Sequence, residues 1–253
     1  MTETVSRDAI VQRVEQWLEP GRFKDYCPNG LQVEGRDQVA HVVTGVTASQ
    51  AFIDAALDAG ADLLLVHHGY FWKGEDQRVG GMKKRRLQSL LKADVNLLAY
   101  HLPLDEHPEL GNNRQLADVL GITEAAPLKS DSGLVWIGEL PEALSPEQFA
   151  GHLENRLARR PLHVGEGSAQ IKRVAWCTGA AQGFIDQALA AGADAYLSGE
   201  ISEPTVHTAR ECGIHYYSAG HHATERYGVQ AVGERLASEL GIKHTFIDID
   251  NPV

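Results

Sequence analysis

The chain has 253 residues, 43% hydrophobic and 23% charged, a globular composition long enough for one large domain or two smaller ones. Its net charge of −11, from 34 acidic and 23 basic residues, disfavours a nucleic-acid partner. No apolar run reaches the ~20 residues of a membrane span, the N-terminus has no apolar signal core, and Cys27, Cys177 and Cys212 stand apart with no CxxC. These features read as a cytoplasmic protein that needs no disulfides.

Helical periodicity starts within the first twenty residues. A strand is predicted at "HVVTGV" (41–46), a helix at "QAFIDAALDAGAD" (50–62) closed by Gly60, and a strand at "LLLVHH" (63–68). A helix near 82–93 follows, opened by the basic run "KKRR" (83–86), which reads as a solvated helix start. The strand "NLLAYH" (96–101) comes next. Between about 128 and 170 the composition changes to strand, Pro-containing turn, amphipathic helix and short strand, with Ser145, Pro146 and Glu147 marking the helix start. His152 and His163 in this insert read as surface residues. Beyond it, the strand "RVAWCTG" (173–179), a helix, "AYLSGE" (195–200), a helix near 203–212 and "HYYSAGH" (215–221) repeat the earlier order.

The repeat is visible residue by residue. "QAFIDAALDAGAD" (50–62) and "QGFIDQALAAGAD" (182–194) coincide at Phe52/Phe184, Ile53/Ile185, Asp54/Asp186 and the closing Gly-Ala-Asp, with Gly60 and Gly192 in matching cap positions. Alternating strands and helices imply mainly parallel sheets with right-handed crossovers. The expectation is an α/β fold of two similar, duplicated halves, 1–127 and 171–253, that pack into one domain, with a small α+β central insert at 128–170.

Each half places a histidine at the end of its third strand with a carboxylate four positions on: His101 and Asp105 in "HLPLD", His221 and Glu225 in "HHATE". Ligand sites of α/β sheets lie outside the carboxyl ends of the strands. His67, His68, His101 and His221 all fall at such ends. A lone strand-end histidine is more often structural than ligating, so the weight rests on the spacing kept in both halves. Neutral imidazole and carboxylate are the ligand set of zinc, iron and manganese, and six such residues suit a dinuclear centre. His222 is expected to face away from His221 and to serve as a supporting or substrate contact. "GYFW" (69–72) would supply an aromatic wall, and Lys73 and Arg226 are candidates for an anionic substrate. Glu200, aligned with His68 by the repeat, is the candidate for supporting a ligand or for proton transfer. "TGVTAS" (44–49) and "CTGAAQG" (177–183) are weak anion-binding candidates at helix starts.

Taken together, "DYCPNGLQVEG" (25–35), "HHGYFWKG" (67–74), "HLPLDEHPELGNN" (101–113) and "GHHATERYG" (220–228) resemble the NGG-interacting factor three-like family, in its short bacterial form. Its members are often labelled GTP cyclohydrolase type-two homologues. The resemblance covers nearly the whole chain. It implies a toroidal homo-hexamer and a pocket with two divalent metal ions per chain, held at the positions matching His67, His68, His101, Asp105, His221 and Glu225. Two functions are compatible with it: a metal-dependent hydrolase of a nucleotide or related small molecule, or a protein that stores, delivers or senses metal without turnover.

Overall fold

The computed structural model describes residues 4–128 and 133–253. The chain forms two compact units, residues 1–110 with 228–250, and residues 111–227 with 251–253. The expected division at 127 and 170 follows the sequence repeat, whereas these units follow strand pairing.

The first unit is built on a five-stranded sheet in the order Lys243–Phe246, His41–Thr47, Leu63–His68, Asn96–Ala99, Gly30–Val33. The first four strands are parallel, and Gly30–Val33 closes one edge in the antiparallel sense. Unbroken apolar runs such as Leu63–Val66 belong in strands covered on both faces, and all four of these residues are fully buried. Successive side chains go to opposite faces. Leu63 and Leu65 pack against Ile10, Val14, Val232 and Leu236, while Leu64 and Val66 pack against Phe52, Ile53 and Leu90. Each fully buried aliphatic side chain contributes about 1.5–3 kcal/mol. Ser6 caps the helix Arg7–Leu18 and Ser49 caps Gln50–Asp58, each accepting a backbone N–H three residues on. The "TGVTAS" helix start is therefore closed by its own serine. The repeat pattern carries no signal for the strand Lys243–Phe246, because this strand has no counterpart in the other half.

The second unit carries a six-stranded sheet ordered Thr123–Pro127, Trp136–Leu144, Ile171–Cys177, Ala195–Ser198, His215–Ser218, Leu162–Val164. Its three central neighbours, from Ile171–Cys177 to His215–Ser218, are parallel and the outer pairings antiparallel. The central segment thus supplies strands to the sheet itself. Its helix, Pro146–Leu157, starts with a full capping box between Ser145 and Gln148 and buries Phe149, Leu153 and Leu157. The two parallel cores share a register: Val42 pairs with Leu63, and Val174 with Ala195, so both partners are displaced by 132 residues. Gly60 and Gly192 both stand at positive φ just past their helices, as the cap reading expects.

The helix Gly81–Ala93 follows the Leu63–His68 strand, and the one-turn helices Leu102–Glu106 and His221–Thr224 follow the third strands. All begin at the carboxyl ends of the strands.

Candidate metal centre

In the first unit, His67 and His68 end the strand Leu63–His68, yet their rings lie only 4.5 Å apart between centroids. Neighbours in a strand alternate in direction, and two hydrogen bonds hold these rings together at its end. The Nδ1–H of the fully buried His67 donates to the Tyr100 carbonyl at 3.0 Å, and His68 Nδ1 bonds the Thr47 hydroxyl at 3.1 Å. His101 lies past its strand, at the start of the helix Leu102–Glu106. Its Nδ1–H donates to Asp25 Oδ1 at 2.7 Å. His67, His68 and His101 offer ring nitrogens that all lie within 4.8 Å of one another. Asp105, one helical turn after His101 and 7% exposed, brings Oδ1 to 3.5 Å from His67 Nε2.

Asp25 is held as a carboxylate. Burial opposes its ionisation, but hydrogen bonds from His101, Asn29 and the Tyr26 N–H lower its pKa to about 2. The Leu102 N–H also donates to its Oδ2 at 2.9 Å, and Asn29 Oδ1 accepts the His101 N–H at 2.7 Å. The loop 25–29 therefore fixes both the ring and the backbone of His101. Nearby Cys27 stays a thiol, since burial and the Asp25 charge push it up to about 12.

In the second unit, His221 opens the helix His221–Thr224, and Glu225 follows it directly. The four-residue spacing becomes one helical turn, with His221 Nε2 3.2 Å from Glu225 Oε2. His221 Nδ1–H donates to Glu200 Oε1 at 2.7 Å. Burial disfavours the imidazolium, yet the hydrogen bonds and charges of Glu225 and Glu200 raise its pKa to about 9. The two carboxylates make this a place that prefers a cation. Gly179, in "CTGAAQG" at φ +70°, leaves the space: a Cβ there would collide with Glu225 Oε1 and lie 3.2 Å from His221 Nε2. That glycine-rich turn thus makes room for a ligand pair.

One chemical rule runs through both units. A carbonyl or carboxylate only accepts, so the partners of His67, His101 and His221 keep a proton on Nδ1 and make Nε2 the nitrogen a metal would take, in His221 by displacing the second proton that its carboxylates hold there. His68 has its Nδ1 engaged as well. Imidazole nitrogens supported in this way, with buried carboxylates beside them, fit a divalent ion of the zinc, iron or manganese type. These histidine and acidic groups could hold metal.

Glu200 supports His221, one of the two roles that the repeat suggests for it. Several other residues have roles that the sequence does not suggest. Arg226 donates to the Leu157 carbonyl at 2.6 Å and lies over Tyr227. His163 is half-buried rather than a surface residue, stacked on Tyr217 and bonded to His215 at 3.0 Å, and the half-buried His152 bonds the Leu120 carbonyl at 2.8 Å. Of the aromatic run, Tyr70 is buried, Phe71 is exposed at φ +65°, and Trp72 stands edge-on to His101 at 5.0 Å. Asp25 is a site residue that spacing does not reveal, because it reaches His101 from 76 residues away.

An α/β sheet that delivers carboxylate-supported histidines from its strand ends defines a candidate metal-binding protein of the α/β class. The chain belongs to the Duf34/NIF3 (NGG1p interacting factor 3) family, whose model matches residues 5–252. A Pseudomonas aeruginosa relative called GTP cyclohydrolase 1 type 2 homolog is 57% identical over 98% of this chain and 99% of its own length. A solved structure described as protein ybgI, of unknown function, is 50% identical with a TM-score of 0.95, covering 98% of this chain and all of the other. TTHA1606 from Thermus thermophilus is 34% identical with a TM-score of 0.91, over 98% and 100% of the two chains. Among the described residues no helix is long and apolar enough to cross a membrane.

Proposed function

We propose that this protein is a metal-dependent hydrolase acting on a nucleotide or a related small molecule, with two divalent ions per chain. The ligands are His67, His68, His101 and Asp105 from the first unit and His221 and Glu225 from the second. The observation that carries this reading is a common orientation: His67, His68, His101 and His221 each turn Nδ1 to a protein partner, which makes Nε2 the nitrogen for a metal. When bound, divalent ions polarise an electrophile's oxygen and make a coordinated water more acidic at neutral pH.

The chain's own groups supply the rest. Asp25 and Glu200 orient His101 and His221 and raise the basicity of their donor nitrogens. Trp72 excludes water beside His68 and His101, with ring centroids 6.0 and 5.0 Å from theirs. The relatives' name suggests GTP, opened at its imidazole ring, as the first substrate to try. The reading also takes the working form to be a cytoplasmic homo-hexamer.

The test is elemental analysis of untagged wild type beside Glu225→Gln and Asp105→Asn, with GTP turnover followed on the same samples. Close to two metals per chain, lost in the variants together with GTP consumption, supports the hydrolase. Two metals with no turnover favour the second reading, metal storage or delivery, which the exchangeable character of histidine–carboxylate sites also suits. Normal metal content in both variants would overturn the ligand assignment.

A further inference from the structure

A cavity of about 760 Å3 opens beside His68 in the first unit, lined in part by Tyr70, Trp72, Met82, Lys83 and Arg86. Its charges do not balance. Lys83 is paired with Glu75, and Arg78 with Asp76 at 2.7 Å, so these four lining residues neutralise one another. Arg86 remains. Among the described residues its guanidinium has no ion pair, and its Nε is buried without a hydrogen-bond partner. A buried donor left unsatisfied is destabilising, more so on a charged group. Tyr70, whose hydroxyl donates to the Ala48 carbonyl at 2.8 Å, does not accept from this Nε. Lys83 and Arg86 belong to the run "KKRR", and their i,i+3 spacing puts both on the face of the helix Gly81–Ala93 that lines the cavity.

The opposite requirement, a flat apolar surface, is met by Trp72. Its indole is fixed by donation of Nε1–H to the Gly69 carbonyl at 3.2 Å, and its N–H donates to Glu75 at 3.0 Å. Phe71, before it, holds a left-handed backbone that a bulky residue adopts only under constraint. The chain here is committed to presenting Trp72 next to His68.

We propose that Arg86 is the anion-recognising residue of this cavity, and that its ligand is a small organic anion with a planar body: a phosphate or carboxylate meets the guanidinium, and the flat part lies against Trp72. This deepens the hydrolase reading and rests on it only in taking His68 as the reacting end of the cavity. A planar guanidinium fits either oxyanion through paired hydrogen bonds.

The experiment is calorimetric titration of chelator-treated protein with three probes: inorganic triphosphate, GTP and benzene-1,3-dicarboxylate. The proteins are wild type, Arg86→Ala, Arg86→Lys and Trp72→Ala, with circular dichroism and melting to check folding. Arg86→Ala is expected to weaken the bound anions about tenfold to a hundredfold, with partial recovery in Arg86→Lys. Trp72→Ala should weaken GTP and the aromatic dicarboxylate while leaving triphosphate unchanged. Triphosphate and GTP binding without the dicarboxylate would assign a phosphate ligand, and the reverse a carboxylate. Equal binding by wild type and Arg86→Ala overturns the proposal, as does wild type that binds none of the probes tighter than about 10 mM. Metal analysis on the same variants keeps this result separate from the metal-centre reading: both Arg86 variants should retain wild-type metal content.

Discussion

Glu200 Oε1 lies 2.7 Å from His221 Nδ1, the same separation at which Asp25 holds His101 in the other unit. Two carboxylates from unrelated stretches of chain thus each accept the Nδ1–H of a candidate ligand histidine. Outer partners of this kind are worth about 10–100-fold in metal affinity. Asp25→Asn and Glu200→Gln should each release metal to a competing chelator at about that much lower concentration, while the melting temperature of the metal-free protein shifts little in Glu200→Gln. Unchanged chelator competition in both would refute the supporting role.

Half-buried histidines away from the candidate ligands give the metal-free protein an acid limb. Burial lowers the pKa of His163, assisted by the neighbouring His215, although Glu147 pulls the other way. Burial lowers that of His244 as well, with His41 adding to it. A histidine whose pKa is depressed in the folded state takes up its proton more readily in the unfolded chain, so stability is lost as pH falls below the ordinary value of about 6.5. Melting temperature should therefore drop between about pH 6.5 and 5, less steeply in His163→Gln. An identical slope in that variant would show that His163 does not contribute.

Cys27 and Cys177 are buried and Cys212 is exposed. With the Cys27 thiol pushed up to about 12, native protein should react with iodoacetamide at Cys212 alone. Mass spectrometry of the digested protein reads this directly, and rapid modification of Cys27 would contradict the packing of the loop 25–29.

Ser145 completes a capping box with Gln148 at the start of the helix Pro146–Leu157. Ser145→Ala should cost about 1 kcal/mol in denaturant unfolding and leave metal content unchanged. A loss of metal in this variant would mean that the helix start has a role in the site.

Much of the fold was legible along the chain because it depends on local rules. The apolar run Leu63–Val66 could only be a strand covered on both faces, and Gly60 and Gly192 marked helix ends through a backbone angle that few other residues accept. The spacing of His101 to Asp105 and of His221 to Glu225 was equally readable. The sequence left the conformation of these pairs open: they span a turn of helix just beyond the strand, which brings i and i+4 side chains to one side. The run "KKRR" was read as solvated because local pattern does not distinguish a helix face over a cavity from one over water.

The sequence by itself determined the family, the α/β class and the histidines and acids that form the candidate ligand groups, since periodicity, caps and motif spacing are properties of neighbouring residues. Only the tertiary structure decided that Asp25 grips His101, that Glu200 grips His221, and that Arg86 stands unmatched in a cavity beside His68. These relationships join residues distant along the chain. Strand register and helix packing create them, and no local pattern encodes which distant side chain will meet a given histidine.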